Sequence, residues 1–92
     1  MSELHTERVI FKGHVQGVGF RYTVRSLARR HPLSGYVKNL PDGSVELVAQ
    51  GAIAAINSLL AEVSEQFRGN IRHCERSSTA PDTGFDGFEI RF

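Results

Sequence analysis

The sequence predicts an α+β sandwich, in which an antiparallel sheet carries two helices on one face and a short extra C-terminal strand. Alternating runs typical of strands and stretches with helical spacing follow one another in the order β-α-β-β-α-β. A turn at Pro41-Asp42-Gly43 joins the second and third strands as a hairpin. Right-handed crossovers and pairing of neighbouring strands make this order a ferredoxin-like sandwich.

The first strand and the first helix are predicted on either side of a glycine-rich loop. Residues 7–13 alternate, with Val9 and Phe11 on one face, after a loose polar tail at residues 1–6. Pro32 ends the helix that follows, because the residue before a proline avoids the α region. The apolar residues of that helix recur at helical spacing: Phe20, Val24, Leu27 and Ala28.

The remaining elements follow from the same two periodicities. Strands are predicted over residues 35–40 and 44–50, and a weaker strand over residues 70–78. A last strand is predicted within residues 85–92, but its position in the sheet is not determined by the sequence. Between them lies the clearest helix, with apolar residues at Ile53, Ile56, Leu60, Val63 and Phe67.

Composition indicates one globular domain spanning residues 1–92. The formal net charge is +1, so no broad basic face is expected to bind nucleic acid. A single cysteine, Cys74, excludes an internal disulfide and fits a reducing compartment. No apolar run has the length of a signal sequence or a membrane span. We therefore expect a cytoplasmic monomer that contacts neither nucleic acid nor membrane, with Cys74 at least half-buried in its strand.

The most informative stretch is Gly13 to Arg21, G-H-V-Q-G-V-G-F-R, between the first strand and the first helix. Gly17 and Gly19 can take positive φ, which lets the loop curl until successive backbone N–H groups point inward. Such a ring of donors at a helix N-terminus attracts anions. The guanidinium of Arg21 is planar, permanently charged and matched to phosphate geometry. These residues favour a phosphate cradle closed by an arginine.

Nucleotide-binding motifs do not fit this loop. A P-loop would need Gly-Lys-Ser/Thr, whereas Gly19 is followed by Phe20 and Arg21. The dinucleotide fingerprint would need a glycine at the position of Tyr22. The alternative is a glycine-rich turn with a surface arginine, which the glycines alone would favour. The arginine at the helix start shifts the interpretation towards a small phosphate site.

Asn39 is predicted to lie close to this loop, although it is distant in sequence. The first strand runs into the cradle and a crossover helix runs back, so the second strand is parallel to the first. Both strands then end at one edge of the sheet, which brings Asn39 towards Arg21. An amide oxygen there can hold a water, although an Asn beside a Pro-Asp-Gly turn is more often a turn cap. Backbone N–H groups of the cradle would bind the phosphoryl oxygens: Gln16, Gly17, Val18, Gly19, Phe20 and Arg21.

These motifs closely resemble those of the acylphosphatase family. The loop at residues 13–21 is followed, in the family's order and spacing, by Gly35-Tyr36-Val37-Lys38-Asn39 and Asp42-Gly43-Ser44-Val45-Glu46. The resemblance covers nearly the whole chain and weakens after Gly69; residues 29–33 and 69–72 differ from the family's pattern. It implies hydrolysis of acyl phosphates to carboxylate and inorganic phosphate without a cofactor, with Arg21 and Asn39 at the two catalytic positions.

No metal is expected at the site. The four histidines, His5, His14, His31 and His73, are scattered without ligand spacing. His14 lies next to the cradle and is interpreted as a loop histidine that tunes local charge. Glu46 is interpreted as a surface residue.

Two further functions stay open at this point. One is a phosphate- or carbamoyl-phosphate-binding module without turnover, because the domain also resembles the N-terminal part of a hydrogenase-maturation carbamoyltransferase. The other is RNA binding, by analogy with other folds of this type. The third strand lacks the stacking aromatics that RNA binding requires. Turnover of a generic acyl phosphate separates an enzyme from a binding module.

Overall fold

A computed structural model describes residues 4–92 as a five-stranded sheet with two helices. The strands are β1 (His5–Gly13), β2 (Ser34–Asn39), β3 (Val45–Gly51), β4 (Ile71–Ser78) and β5 (Phe88–Arg91). The helices are α1 (Phe20–Ala28), between β1 and β2, and α2 (Ile53–Gln66), between β3 and β4. The predicted βαββαβ order with an extra C-terminal strand is confirmed. No helix among residues 4–92 combines the length and apolar character needed to cross a membrane.

The sheet brings the ends of β1 and β2 to the same edge. Its strand order is β4-β1-β3-β2-β5, and β3 is antiparallel to both β1 and β2. The two outer partners of β3 therefore run in the same direction, as the sequence predicts. Val45 pairs with Phe11 on one side and with Asn39 on the other. This register places Asn39 level with the end of β1, where the cradle loop begins.

The last strand, which the sequence leaves unplaced, extends the sheet beside β2. β5 is parallel to β2, so the sheet is mixed, with four antiparallel strands and one parallel addition. The register aligns Lys38 with Arg91, and Phe92 therefore lies level with Asn39. Three strands now end at the edge where the cradle lies.

Both helices pack on one face of the sheet, and an aromatic cluster fixes the start of α1. Phe20, the first residue of α1, lies between Phe11 and Phe67, with ring centroids 5.2 Å and 4.7 Å away. Tilted and edge-to-face rings at these distances attract one another beyond their buried area. The residue after Phe20 is Arg21, so the cluster holds its backbone in place.

The opposite face of the sheet is partly covered by the loop between β4 and β5. Gln50 Nε2 donates to the Asp82 carbonyl oxygen at 2.9 Å, and the Asp82 N–H donates to Gln50 Oε1 at 2.8 Å. The helices cover one face of β3 and this loop helps to cover the other, and all seven residues of β3 are buried. The interpretation of Glu46 as a surface residue is wrong: it is buried and accepts hydrogen bonds from Arg8 at 2.5 Å and the Tyr36 hydroxyl at 2.8 Å.

Other corrections concern the ends of elements and the edge strand. His5 and Thr6, predicted in a tail, belong to β1, and Thr6 is buried. The prediction of a tail at residues 1–3 lies outside the described residues. Ile53 is partly exposed because it begins α2. Cys74, predicted to be at least half-buried, is exposed on β4, which forms an edge of the sheet.

Candidate active site

A cavity of about 240 Å³ opens at the edge of the sheet where β1 and β2 end. Arg21 and Asn39, which the topology predicts to be neighbours, both line it. The other lining residues come from the cradle loop and the first turn of α1: Val15, Gly17, Gly19, Phe20 and Tyr22. No residue of this lining carries a negative charge, so the cavity suits an anion.

The cradle loop has the backbone conformation that its glycines predict. Gly17 and Gly19 have φ values of 78° and 76°, a region that residues with a Cβ rarely adopt. Gly19 is also the N-cap of α1 and offers no side chain to the helix. The first hydrogen bond of α1 runs from the Thr23 N–H to the Gly19 carbonyl at 3.0 Å. The N–H groups of the three preceding residues therefore have no carbonyl of their own helix to bond, and can serve an anion.

The loop is anchored to two different parts of the fold. The His14 N–H donates to the Asn70 carbonyl at 2.9 Å, and Asn70 Nδ2 donates to the His14 carbonyl at 3.0 Å. Further along, Gln16 Nε2 donates to the carbonyl oxygens of Leu40 and Ser44, each at 2.8 Å. One anchor precedes β4 and the other lies in the β2–β3 turn, so the loop spans the width of the sheet edge.

Arg21 lies next to the cavity and stacks on an aromatic ring. Its guanidinium carbon lies 4.9 Å from the centroid of the Phe92 ring. Among the residues that the structure describes, no carboxylate forms an ion pair with it. A guanidinium that stacks on a ring keeps its N–H edges for a ligand. Its charge is therefore available to an anion in the cavity.

Asn39 presents a buried acceptor without a partner. Its Oδ1 is the one buried side-chain nitrogen or oxygen within residues 4–92 that has no hydrogen-bond partner. Leaving such an atom unsatisfied costs about 1–3 kcal/mol, and folded proteins rarely keep one without a reason. Asn39 also lines the cavity, so its amide lies beside the space that a ligand would occupy.

The carboxylate nearest in sequence, Asp42, is used within the hairpin turn. It accepts hydrogen bonds from the Ser44 hydroxyl at 2.5 Å and from the Ser44 N–H at 2.9 Å. These bonds hold the pKa of Asp42 below its ordinary value, so the group is ionised at neutral pH. Its role is to fix the turn that follows Asn39, and it does not line the cavity.

The remaining predicted site residues lie around the cavity without lining it. Gln16 directs its side-chain amide to the hairpin turn, and Val18 packs against the core. His14 is exposed. Lys38 precedes Asn39 in β2, and because side chains alternate along a strand it lies on the opposite face. Within residues 4–92, no group of three or more His, Cys, Asp or Glu side chains is placed to hold a metal ion.

Sequence reasoning missed two aromatic residues at this site. Tyr22 lines the cavity and is 56% exposed, and Phe92 stacks on Arg21 while 88% exposed. Tyr22 could have been found from its position in the first turn of α1, beside Arg21. Phe92 could not, because its place depends on the pairing of β5 with β2.

Comparisons with known proteins connect this geometry to one family. The family model for acylphosphatase matches residues 7–90, which include Arg21 and Asn39. An acylphosphatase from Geobacillus thermodenitrificans is 44% identical over 85 residues, covering 89% of this chain and 87% of that protein. One from Synechococcus sp. is 35% identical over 91 residues, covering 99% and 97%. The crystal structure of acylphosphatase from Bacillus subtilis aligns with a TM-score of 0.84 at 33% identity, covering 98% of this chain and 100% of that one.

Proposed function

The chain belongs to the acylphosphatase family and is a hydrolase, and from this premise we propose how its cavity hydrolyses acyl phosphates. The substrate is a small-molecule acyl phosphate, and the products are a carboxylate and inorganic phosphate. The observation that carries the assignment of residues is that Asn39, whose buried Oδ1 has no hydrogen-bond partner among residues 4–92, lines the same cavity as Arg21.

The cradle binds the phosphoryl group. Backbone N–H groups of residues 16–21 donate to the phosphoryl oxygens, and the positive φ of Gly17 and Gly19 supports this curled conformation. The guanidinium of Arg21 donates to the same oxygens and stabilises their charge. None of the described residues that line the cavity is acidic, which favours binding of the dianion.

Asn39 orients the attacking water. Its Oδ1 accepts a hydrogen bond from the water and aligns it with phosphorus, opposite the carboxylate that leaves. As the bond from the water oxygen to phosphorus forms, the bond from phosphorus to the acyl oxygen breaks. The proton of the water passes to a phosphoryl oxygen. In-line transfer of this kind asks the protein mainly for positioning and charge stabilisation, and a carboxylate needs no general acid to leave.

We propose that the reaction needs neither a metal ion nor another cofactor. Arg21 and the first turn of α1 already supply positive potential where the phosphate binds. We also propose that residues 1–92 act as a single-domain cytoplasmic monomer that binds neither nucleic acid nor membrane. The net charge of +1 and the single cysteine support this.

Hydrolysis of a small aromatic acyl phosphate such as benzoyl phosphate, with and without excess chelator, tests the proposal. We expect turnover that is unchanged by the chelator. A chain that binds inorganic phosphate without turnover would instead be a phosphate-binding module. Activity that disappears with chelator and returns with Mg²⁺ or Zn²⁺ would overturn the metal-independent mechanism.

A further inference from the structure

We propose that Gln16 is a positioning residue, whose side-chain amide holds the cradle loop at the distance from Asn39 that in-line attack requires. The inference rests on the function proposed above, and it concerns the side chain of Gln16 and not its backbone N–H. The side chain does not line the cavity, so it acts through the elements that it joins.

The amide of Gln16 uses both of its donors on the turn that follows Asn39. Nε2 donates to the carbonyl oxygens of Leu40 and Ser44, each at 2.8 Å. Each of these oxygens also accepts a backbone hydrogen bond: Leu40 from the Gly43 N–H at 3.1 Å, and Ser44 from the Leu40 N–H at 2.9 Å. Each carbonyl oxygen therefore accepts two hydrogen bonds, the number that its two lone pairs allow. The turn and the loop are locked together by one primary amide.

The Gln16 amide is the hydrogen-bonded link between the cradle loop and the turn that follows Asn39. Among the described residues, no other hydrogen bond joins residues 13–21 to residues 39–44. The glycines of the loop provide no packing there, because a Cβ built on Gly17 or Gly19 meets no atom within 4 Å. Without the amide, Val15 still packs in the core and Val18 against it, but the two glycines beside them can shift relative to β2.

Such a shift would affect turnover more than phosphate binding. The cradle carries the phosphoryl group, while Asn39 holds the water on a different strand. In-line attack requires the phosphoryl group and the water to be aligned with each other. A misplacement of about 1 Å costs on the order of a hundredfold in rate. Phosphate binding needs only the cradle and Arg21, which are contiguous in the chain and do not depend on where Asn39 lies. Gln16 should therefore influence kcat strongly and phosphate affinity weakly.

The variant Gln16→Met isolates this role. Methionine has nearly the same length as glutamine but no donor, so both hydrogen bonds are lost without adding a charge. Gln66→Met is the matched control, because Gln66 is exposed at the end of α2. If Gln16→Met fails to fold by circular dichroism, Gln16→Asn replaces it under the same criteria. Asparagine keeps both donors on a side chain one methylene shorter, so it too should change the position of the cradle loop relative to Asn39.

The experiment is a double-mutant cycle of Gln16→Met with Asn39→Ala, with benzoyl phosphate turnover and inhibition by inorganic phosphate as readouts. We expect Gln16→Met to lower kcat roughly 10- to 100-fold while the inhibition constant changes less than about threefold. If Gln16 acts through Asn39, the double variant should be within about threefold of Asn39→Ala alone. Gln66→Met should match the parent in both readouts.

Two outcomes would overturn the inference while leaving the proposed function intact. One is phosphate inhibition that weakens in step with kcat, which would make Gln16 part of the cradle itself. The other is a double variant that multiplies the two single losses. A parent chain without turnover would be a failure of the proposed function, and the inference would fall with it.

Discussion

The guanidinium carbon of Arg21 lies 4.9 Å from the centre of the Phe92 ring, although Phe92 is 88% exposed. The parallel pairing of β5 with β2 places it there, level with Asn39. A side chain this exposed contributes little to the core. Its contact with Arg21 instead orients the guanidinium, whose edges remain free for phosphate.

Phe92→Ala is therefore expected to weaken phosphate binding about two- to fivefold. An exposed cation–π contact contributes about 0.5–1 kcal/mol, which corresponds to that range. Inhibition of turnover by inorganic phosphate measures the change. Phe92→Tyr is the control, because it keeps the ring and should retain the parent's inhibition constant. Equal losses in the alanine and tyrosine variants would show that the stacking has no such role.

Gly35→Ala is expected to destabilise the fold by about 3 kcal/mol or more, or to prevent folding. Gly35 has φ of 144°, and a Cβ there would lie 1.8 Å from the Val48 carbonyl oxygen on the paired strand. Because the obstacle is backbone, relaxation would have to separate β2 from β3. Gly69→Ala is the control, since a Cβ there meets no atom within 4 Å. Urea unfolding of the two variants should differ; similar midpoints would contradict the assigned clash.

Tyr36 is expected to titrate above its ordinary pKa of about 10. Burial raises the pKa of Tyr36, and its hydrogen bond to Glu46 raises it further. Above pH of about 10 the unfolded chain loses this proton first, so the free energy of unfolding should fall as pH rises; at lower pH the group contributes no pH dependence.

Phenolate absorbance of the Tyr22→Phe variant measures this pKa directly, because Tyr36 is then the only tyrosine of the chain. Urea unfolding at about pH 8 and about pH 11 gives the effect on stability, and Tyr36→Phe should reduce the loss at high pH. A transition at or below the ordinary pKa would contradict the buried hydrogen bond to Glu46.

Periodicity was sufficient to predict most of the fold, because each element has an apolar stripe that must face the core. The approach of Asn39 to Arg21 was also predictable, because it follows from the topology of β1, α1 and β2 rather than from any local signal. Alternation alone does not say which neighbour an edge strand takes, so the position of β5 and the contact of Phe92 were not predictable. The side-chain bonds of Gln16 depend on the folded distance between loop and turn, which no spacing in the sequence encodes.

The burial of Glu46 was not predictable either, because it depends on contacts between distant parts of the chain. Alternation assigns it to the face of β3 away from the helices, and such a face is usually solvated in an antiparallel sheet. Here the loop after β4 covers that face, and Glu46 is satisfied by Arg8 and Tyr36. A long-range ion pair of this kind becomes visible only when the strand register is known.

Substitutions of Arg21 and of Asn39 should have different effects when phosphate binding and turnover are measured independently. Arg21 binds the phosphoryl group in the ground state and in the transition state, so Arg21→Ala should lose both phosphate affinity and turnover. Charged hydrogen bonds contribute roughly 1.5–3 kcal/mol, so the affinity should fall at least about tenfold. Arg30→Ala, an exposed arginine beyond the end of α1, controls for the change in net charge.

Asn39→Ala should lower kcat roughly a hundredfold or more, the scale seen when one preorganised polar group is removed, while phosphate affinity stays near that of the parent. The free energy of unfolding should stay the same or rise slightly, because the substitution removes a buried acceptor that has no partner among residues 4–92. Calorimetric titration with inorganic phosphate and urea unfolding measure the two quantities. If Asn39→Ala loses phosphate affinity as severely as Arg21→Ala does, Asn39 belongs to the cradle, and another group must hold the water.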